Sequence, residues 1–315
     1  MSFSRCQCDY TELAPVLTGS AVGAYAYGVA SAQSVDAADI ALYNGWLSQK
    51  YNAGMAYMER NSDVRTNPDK LLEGAKTVIV CAFAYPRPGS IEWGEGALRI
   101  ASYALGDDYH EVLRRRLDIA AAEIKRMWGG ECRVCVDTAP LRERYWAVKG
   151  GLGYIGLNGL LMLPGAGSCF FLGTILSTVS VSPKEPLEMN CGNCRRCIAC
   201  CPASAIKDTE YGRTVVDCNK CLSCLTIELR GELPEGTRLR DRLYGCDMCQ
   251  SSCPHNRLTA APEPLPEFKP RSSLLNLKKE QVENMTQEEY SKLFKGSAIK
   301  RAKLEGLRRN ARACD

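Results

Sequence analysis

Eleven of the eighteen cysteines in this 315-residue chain fall between Cys191 and Cys253, in two runs, CGNCRRCIACCP and CDMCQSSCP, each ending in Cys-Pro. Thiols at short, repeated intervals hold metal, and a metal scaffold dictates the local backbone more tightly than an apolar pattern does. A disulfide framework belongs to short secreted chains, and zinc ribbons do not need the Cys-Pro endings with their x3 spacing.

Cys191, Cys194, Cys197 and Cys201 are spaced C-x2-C-x2-C-x3-C-P. That is the spacing of bacterial two-cluster ferredoxins, in which the fourth cysteine ligates the other cluster. The second run, Cys246, Cys249 and Cys253, lacks one upstream ligand, and the segment DCNKCLSC offers Cys218, Cys221 or Cys224. We expect one [4Fe–4S] cluster on Cys191, Cys194, Cys197 and Cys253. The other is expected on Cys201, Cys246 and Cys249, with Cys221 preferred as fourth ligand and Cys218 or Cys224 open.

At 45% hydrophobic and 24% charged, the composition is that of a soluble globular protein of two or three modules. The longest apolar stretches, TVIVCAFAY and CFFLGTILSTVSV, are short of the ~20 residues that span a bilayer. With no secretory or twin-arginine signal read at the start, the expected location is the cytoplasm, with no membrane partner. Net charge is +4, and residues 269–315 alone carry 12 Lys or Arg against 6 Asp or Glu. The basic character therefore belongs to the tail.

Period and punctuation give three parts: residues 1–182, 183–260 and 261–315. In the first, roughly the opening 65 residues read as helical, led by Asp36 or Ser34. Thr77–Ala84 reads as a buried strand and 106–127 as an amphipathic helix capped by Asp108 with Glu111 as box partner. Cys132–Asp137 and Phe170–Val181 read as strands around a helix at 142–150, which makes an α/β or α+β core. Residues 182–190 and 261–270 are proline-bearing linkers, the second leading into a basic helical tail.

Two clusters pass single electrons but activate no substrate, so the first part must hold the acceptor. Gly151, Gly153 and Gly156 read G-x-G-x-x-G, yet a dinucleotide fingerprint needs a preceding strand and an acidic residue ~20 positions on. No Asp or Glu occurs from 146 to 184. Glycines that let backbone approach a large flat cofactor fit the stretch better. Asp137 ends a strand and leads into Thr138-Ala139-Pro140, a position suited either to site chemistry or to capping a helix.

The motifs VDTAPLRER, GGLGYIGLNGLLMLPGAGSCFFLG, CGNCRRCIACCP, CLSCLTIE, YGCDMCQSSCPHN and FKGSAIKRAKLEGLRRNA, in this order, resemble the epoxyqueuosine reductase family. The resemblance runs from about Tyr25 to Ala313. It implies an oxidoreductase with two [4Fe–4S] clusters and base-off cobalamin. The implied reaction reduces the epoxide of epoxyqueuosine in a tRNA anticodon loop to give queuosine. It implies a core like that of flavin-reductase-like corrinoid reductases, joined to a two-cluster ferredoxin module and a short C-terminal helical region.

The same resemblance places a proton-donating aspartate at Asp137, and burial against corrin and base would raise its pKa. Arg60, Tyr103, Asp137, Gly156, Ser168 and Ser223 are implied cofactor contacts. His110, in a D-x-H stretch with Leu113 where a cobalt-ligating signature needs glycine, is read as an active-site or helix residue. Cys200, Cys218 and Cys224 depart from the family pattern. Lys295, Lys300, Arg301, Lys303, Arg308, Arg309 and Arg312 are expected to meet tRNA phosphates. An external low-potential donor of flavodoxin or ferredoxin type would feed a monomer. The alternatives are a corrinoid reductive dehalogenase or a ferredoxin-type carrier with no substrate of its own.

Overall fold

The computed structural model describes residues 8–209, 213–257 and 260–315. Residues 1–7, part of the expected helical opening, lie outside the described residues.

The strand expected at Thr77–Ala84 is present as the centre of the first core. Its residues alternate: Ile79, Cys81 and Phe83 enter one apolar cluster, Val78, Val80 and Ala82 another, and all six are essentially sealed. A strand buried on both faces needs two covering layers, and helices supply them. The elements that matter are β1 (Ala26–Ser31), α1 (Ala37–Ser48), β2 (Thr77–Ala84), α2 (Tyr109–Trp128), β3 (Cys132–Cys135), α3 (Glu143–Lys149) and β4 (Phe170–Ser177). The sheet order is β1-β2-β4-β3, and every pairing in it is antiparallel. Helix α2 lays Leu113, Leu117, Ala120 and Ile124 on one face, while α3 presses Trp146 and Ala147 onto the other. A Cβ at Gly173 would collide with the Leu117 side chain, so glycine lets α2 approach β4 closely.

The helical opening is corrected by the structure. β1 occupies 26–31, and the helix that follows Asp36, α1, stops at Ser48 instead of continuing through the opening 65 residues. AYGVAS is short and carries a glycine, so its strand character comes from pairing with β2, register Gly28 opposite Val80, more than from its own propensity. Asp108 does cap α2, accepting from the His110 backbone N–H at 3.0 Å.

A second core joins distant parts of the chain. Leu98, Ile100 and Leu105 pack with Leu222, Leu225, Leu243 and Tyr244 and with Leu274, Phe294, Ile299, Leu304 and Leu307. Arg242–Tyr244 pairs in parallel with Arg99–Ile100. The helices α4 (Leu222–Ile227) and α5 (Lys303–Arg312) meet there. Buried Asn310 of α5 donates to the carbonyls of Thr226 and Leu243 at 2.8 and 2.9 Å. Arg309 donates to the carbonyls of Leu225, Leu229 and Gly231, and Arg308 to that of Met285. Arg309 therefore stitches the tail to the cysteine region, and Arg308 braces the tail internally. Among the described residues no helix is long and apolar enough to cross a membrane.

Candidate active site and metal centres

The first apolar residues of α2 set the site's floor. The Tyr109 ring stacks on Phe171 of β4 at a centroid distance of 4.5 Å, and the His110 ring stacks on Tyr109 at 4.0 Å. Both side chains then reach Asp137, which lies just past β3. The Tyr109 hydroxyl donates to Asp137 Oδ2 at 2.8 Å, and His110 Nε2 stands 3.2 Å from the same oxygen. His110 Nδ1 lies 2.7 Å from Asp108 Oδ1, so both ring nitrogens are engaged between carboxylates. Asp137 does not cap α3; the residue flanking that helix is Arg142.

Charge follows from these contacts. Burial pulls the His110 imidazole down, but hydrogen bonds to Asp108 and Asp137 outweigh it and lift the ring to about 9. Burial pushes the Asp137 carboxyl up, yet the bonds from His110 and Tyr109 win and hold it below its ordinary value. The expected rise at Asp137 is thus not produced by the chain's own groups. At neutral pH the pair is imidazolium and carboxylate, and the proton rests on His110. Next to it, burial and then the Asp137 charge push Glu143 up to about 8.

Asp137 has φ of 49°, in the left-handed region, although it is not glycine. Such a residue costs about 1–3 kcal/mol and persists only where its surroundings impose it. Hydrogen bonds to charged groups are worth about 1.5–3 kcal/mol each, so the Tyr109 and His110 contacts suffice to offset that strain.

The cysteines gather in two sets. Cys191, Cys194, Cys197 and Cys253 border one small cavity, together with Leu157, Asn158 and Met162 of the glycine-rich stretch. Cys253 of the second run thus lies beside three cysteines of the first. Burial, then the neighbouring Cys246 and Cys221, pushes the Cys249 thiol up, which puts Cys221 with Cys246 and Cys249. The backbone N–H groups of Ser223 and Cys224 donate to the Cys221 sulfur. Cys201 accepts from the Ala205 N–H at 3.3 Å. Cys218 and Cys224 instead hydrogen-bond each other. Cys200 bonds the Ser252 hydroxyl at 2.8 Å and so ties the two Cys-Pro arms together. Among the described residues no three His, Cys, Asp or Glu groups converge on a single ion. Four thiols spread around one cavity suit a cube, whose irons each take one sulfur.

The implied cofactor contacts are scattered. Tyr103 sits in the aromatic cluster with Tyr85, Tyr109, Phe171 and Tyr244, close enough to Asp137 to feel its charge. Ser223 lies in α4 beside Cys221, and Arg60 is exposed, its carbonyl accepting from Arg65. Ser168 is buried, bonded to Asn256 and Gln250. Gly156 belongs to a hairpin of Tyr154–Ile155 and Leu161–Met162, where a Cβ would meet Met162 at 2.9 Å. That hairpin is not the strand-to-helix turn of a dinucleotide site.

Sequence reasoning missed Tyr57, which is 41% exposed and whose surroundings include Glu228, Arg301, Asp137 and Cys224. Asp137 and the start of α4 thus border one open face. The donor set there fits a corrinoid bound without histidine on its metal. His110 has both ring nitrogens taken, and His255 lines the first cysteine cavity. Missed too were Tyr109 and Glu143, the latter six residues beyond Asp137 within the quoted motif VDTAPLRER.

In the tail, Arg301 pairs with Glu228 at 2.6 Å, while Lys295, Lys300, Lys303 and Arg312 are exposed.

Residues 65–138 match a family described as epoxyqueuosine reductase QueG, DUF1730, and residues 190–256 match a 4Fe-4S double cluster binding domain. An epoxyqueuosine reductase of Cyclobacterium marinum is 39% identical over 297 residues, covering 93% of each chain. A crystal structure of epoxyqueuosine reductase with an epoxyqueuosine-modified tRNA-Tyr stem loop superposes with TM-score 0.84. It shares 26% identity and covers 96% of this chain and 79% of its own. A Bacillus subtilis epoxyqueuosine reductase, solved with its catalytic aspartate loop swung out of the active site, superposes at 0.82 with 25% identity. The coverage is again 96% of this chain and 79% of the other.

Proposed function

The chain belongs to the epoxyqueuosine reductase family, and from that premise we propose that it reduces the epoxide of epoxyqueuosine in a tRNA anticodon loop to queuosine, with Asp137 delivering the proton. The observation that carries this reading is the Asp137 carboxylate, bonded to a protonated His110 on the open face it shares with Tyr57 and Cys224. Loss of the epoxide oxygen as water consumes two electrons and two protons and leaves a carbon–carbon double bond. Cobalamin, when bound, supplies the electrons at the substrate, and the two [4Fe–4S] clusters supply cobalamin.

The protein's own groups handle the first of the two protons, and the second is drawn from solvent water. Asp137 Oδ2 receives the first from His110 Nε2, and the Tyr109 hydroxyl keeps that oxygen aimed. Asp108 on the far ring nitrogen holds the imidazole in place, as a carboxylate does for a catalytic histidine. Cobalamin contacts are assigned to Tyr103, Ser223 and Arg60; Ser168, buried and bonded to Asn256 and Gln250, and Gly156, in a hairpin against Met162, would act through the backbone they shape. The division of labour is a catalytic core over 1–182, a cluster module over 183–260 and a tRNA-contacting region over 261–315. An external low-potential donor, a cytoplasmic location and a monomeric state complete the proposal.

The deciding assay is anaerobic incubation with cobalamin, a low-potential reductant and a stem loop carrying epoxyqueuosine, with nucleoside analysis for queuosine. Absence of queuosine from fully loaded protein would end this reading.

Binding is carried by phosphates, so the exposed cations of the tail are the ones to reverse. Lys303→Glu with Arg312→Glu should weaken stem-loop binding and flatten its dependence on salt, since each lost phosphate contact removes about 0.9 from the logarithmic salt slope for a duplex. Affinity unchanged at every salt concentration would take the tail out of the RNA interface. Arg308 and Arg309 are unsuitable for this test, because they hold backbone carbonyls inside the fold.

A further inference from the structure

The turn that carries Asp137 is tight. The Thr138 N–H returns to the Val136 carbonyl, and the Thr138 hydroxyl reaches the same oxygen at 3.2 Å. With φ of 49° at its centre, a three-residue turn of this kind is rare and strained, so groups outside it must hold it. The carboxylate is held from α2. The backbone N–H of Asp137 is held from the other side of the sheet, by Glu143 Oε1 at 3.1 Å. Glu143 opens α3, whose Trp146 and Ala147 are 2% and 0% exposed, so its platform is fixed.

We propose that Glu143 is a positioning residue, a latch whose carboxyl grips the Asp137 N–H and thereby fixes the direction in which the catalytic carboxylate points. The inference deepens the reading of Asp137 as proton donor and rests on it. Every charged or titratable group facing Glu143 bears on how it works: His110 and Tyr109 from α2, Asp137 from the turn, Arg144 on α3 itself, and Cys135 at the end of β3. Burial, then the Asp137 charge, keeps the Glu143 carboxyl neutral up to about 8. A neutral carboxyl still accepts through its carbonyl oxygen and sets no second negative charge against Asp137. Above that pH both carboxyls are charged, and the latch works against the turn.

Glutamine presents the same carbonyl oxygen and cannot ionise, whereas alanine leaves the exposed Asp137 N–H to water and the turn without its anchor. Glu143→Ala should lower kcat by about three- to tenfold, the worth of one lost hydrogen bond at an exposed donor, with KM for the stem loop unchanged. Glu143→Gln should restore kcat and move the alkaline limb of activity from about 8 to about 9, where His110 loses its proton.

A second readout needs neither substrate nor corrinoid: deuterium uptake across residues 136–141 of the cluster-loaded protein. Uptake should rise in Glu143→Ala and stay at the native level in Glu143→Gln. Were Asp137 not the proton donor, the kinetic differences would vanish while the exchange difference remained, which separates the two claims. Native exchange in Glu143→Ala, or Glu143→Gln as exposed to exchange as Glu143→Ala, overturns the latch. If the alanine variant fails to fold, Glu143→Asp, one methylene too short to reach, takes its place; native uptake there overturns the proposal equally.

Discussion

Asp137→Ala and Asp137→Asn are both expected to lower epoxide reduction by about 10²- to 10⁴-fold, the worth of a positioned general acid, while iron content and cluster absorbance stay native. The two variants fail for one reason. Asparagine keeps the size and the Tyr109 contact but carries no transferable proton, so it isolates proton delivery from packing. Single-turnover conversion of the epoxyqueuosine stem loop, followed anaerobically, measures the loss. Full turnover by either variant would remove Asp137 from the mechanism. The clusters are spared because Asp137 touches Tyr109, His110 and Glu143, none of which borders the cysteine cavity.

The pH dependence follows with its sign. His110 is lifted to about 9, so its charged form, and the stability it shares with Asp108 and Asp137, is complete below the ordinary histidine range near 6.5 and is lost as pH rises through about 9. Asp137 is held low, so its contribution is present above the ordinary carboxylate range and is lost as pH falls through its depressed value. Between these limits the imidazolium and the carboxylate coexist, and the proton is stored one hydrogen bond away from the carboxylate we propose delivers it.

The relation of sequence to site is uneven for physical reasons. Spacing made the cysteines legible, because ligands to a cube must be close in sequence or else crossed, and Cys-Pro marks the crossing. β2 was legible because a threonine followed by seven consecutive apolar residues, several of the eight β-branched, leaves few other fates. β1 was not, since its strand character is lent by β2 across a long connection. The basic tail misled in part. Arg308 and Arg309 look like phosphate ligands by charge, but guanidinium groups also serve as multiple donors to carbonyls, and composition cannot tell the two uses apart. The downward pull on the Asp137 carboxyl by the protein's own groups was not legible, because His110 and Tyr109, on a different element, reach it only in three dimensions.

Cys221→Ser should halve the iron bound by the purified protein and abolish turnover, whereas Cys218→Ala and Cys224→Ala should keep the full iron content. All three cysteines lie within seven residues, so sequence alone leaves each eligible. The fold separates them by what each sulfur faces. Cys221 directs its sulfur toward Cys246 and Cys249 and takes the N–H groups of Ser223 and Cys224, which favour the thiolate a cluster requires. Cys218 and Cys224 spend their hydrogen bond on each other. Cys253→Ser makes the complementary case: it belongs to the second run by sequence, yet it should empty the first cluster, because its sulfur shares a cavity with Cys191, Cys194 and Cys197. Iron analysis with electron paramagnetic resonance of the reduced protein distinguishes which cluster is lost. Full iron in Cys221→Ser with half in Cys224→Ala would transfer the ligand role, and the electron path to the open face would then enter α4 one turn later, on the side nearer Tyr57.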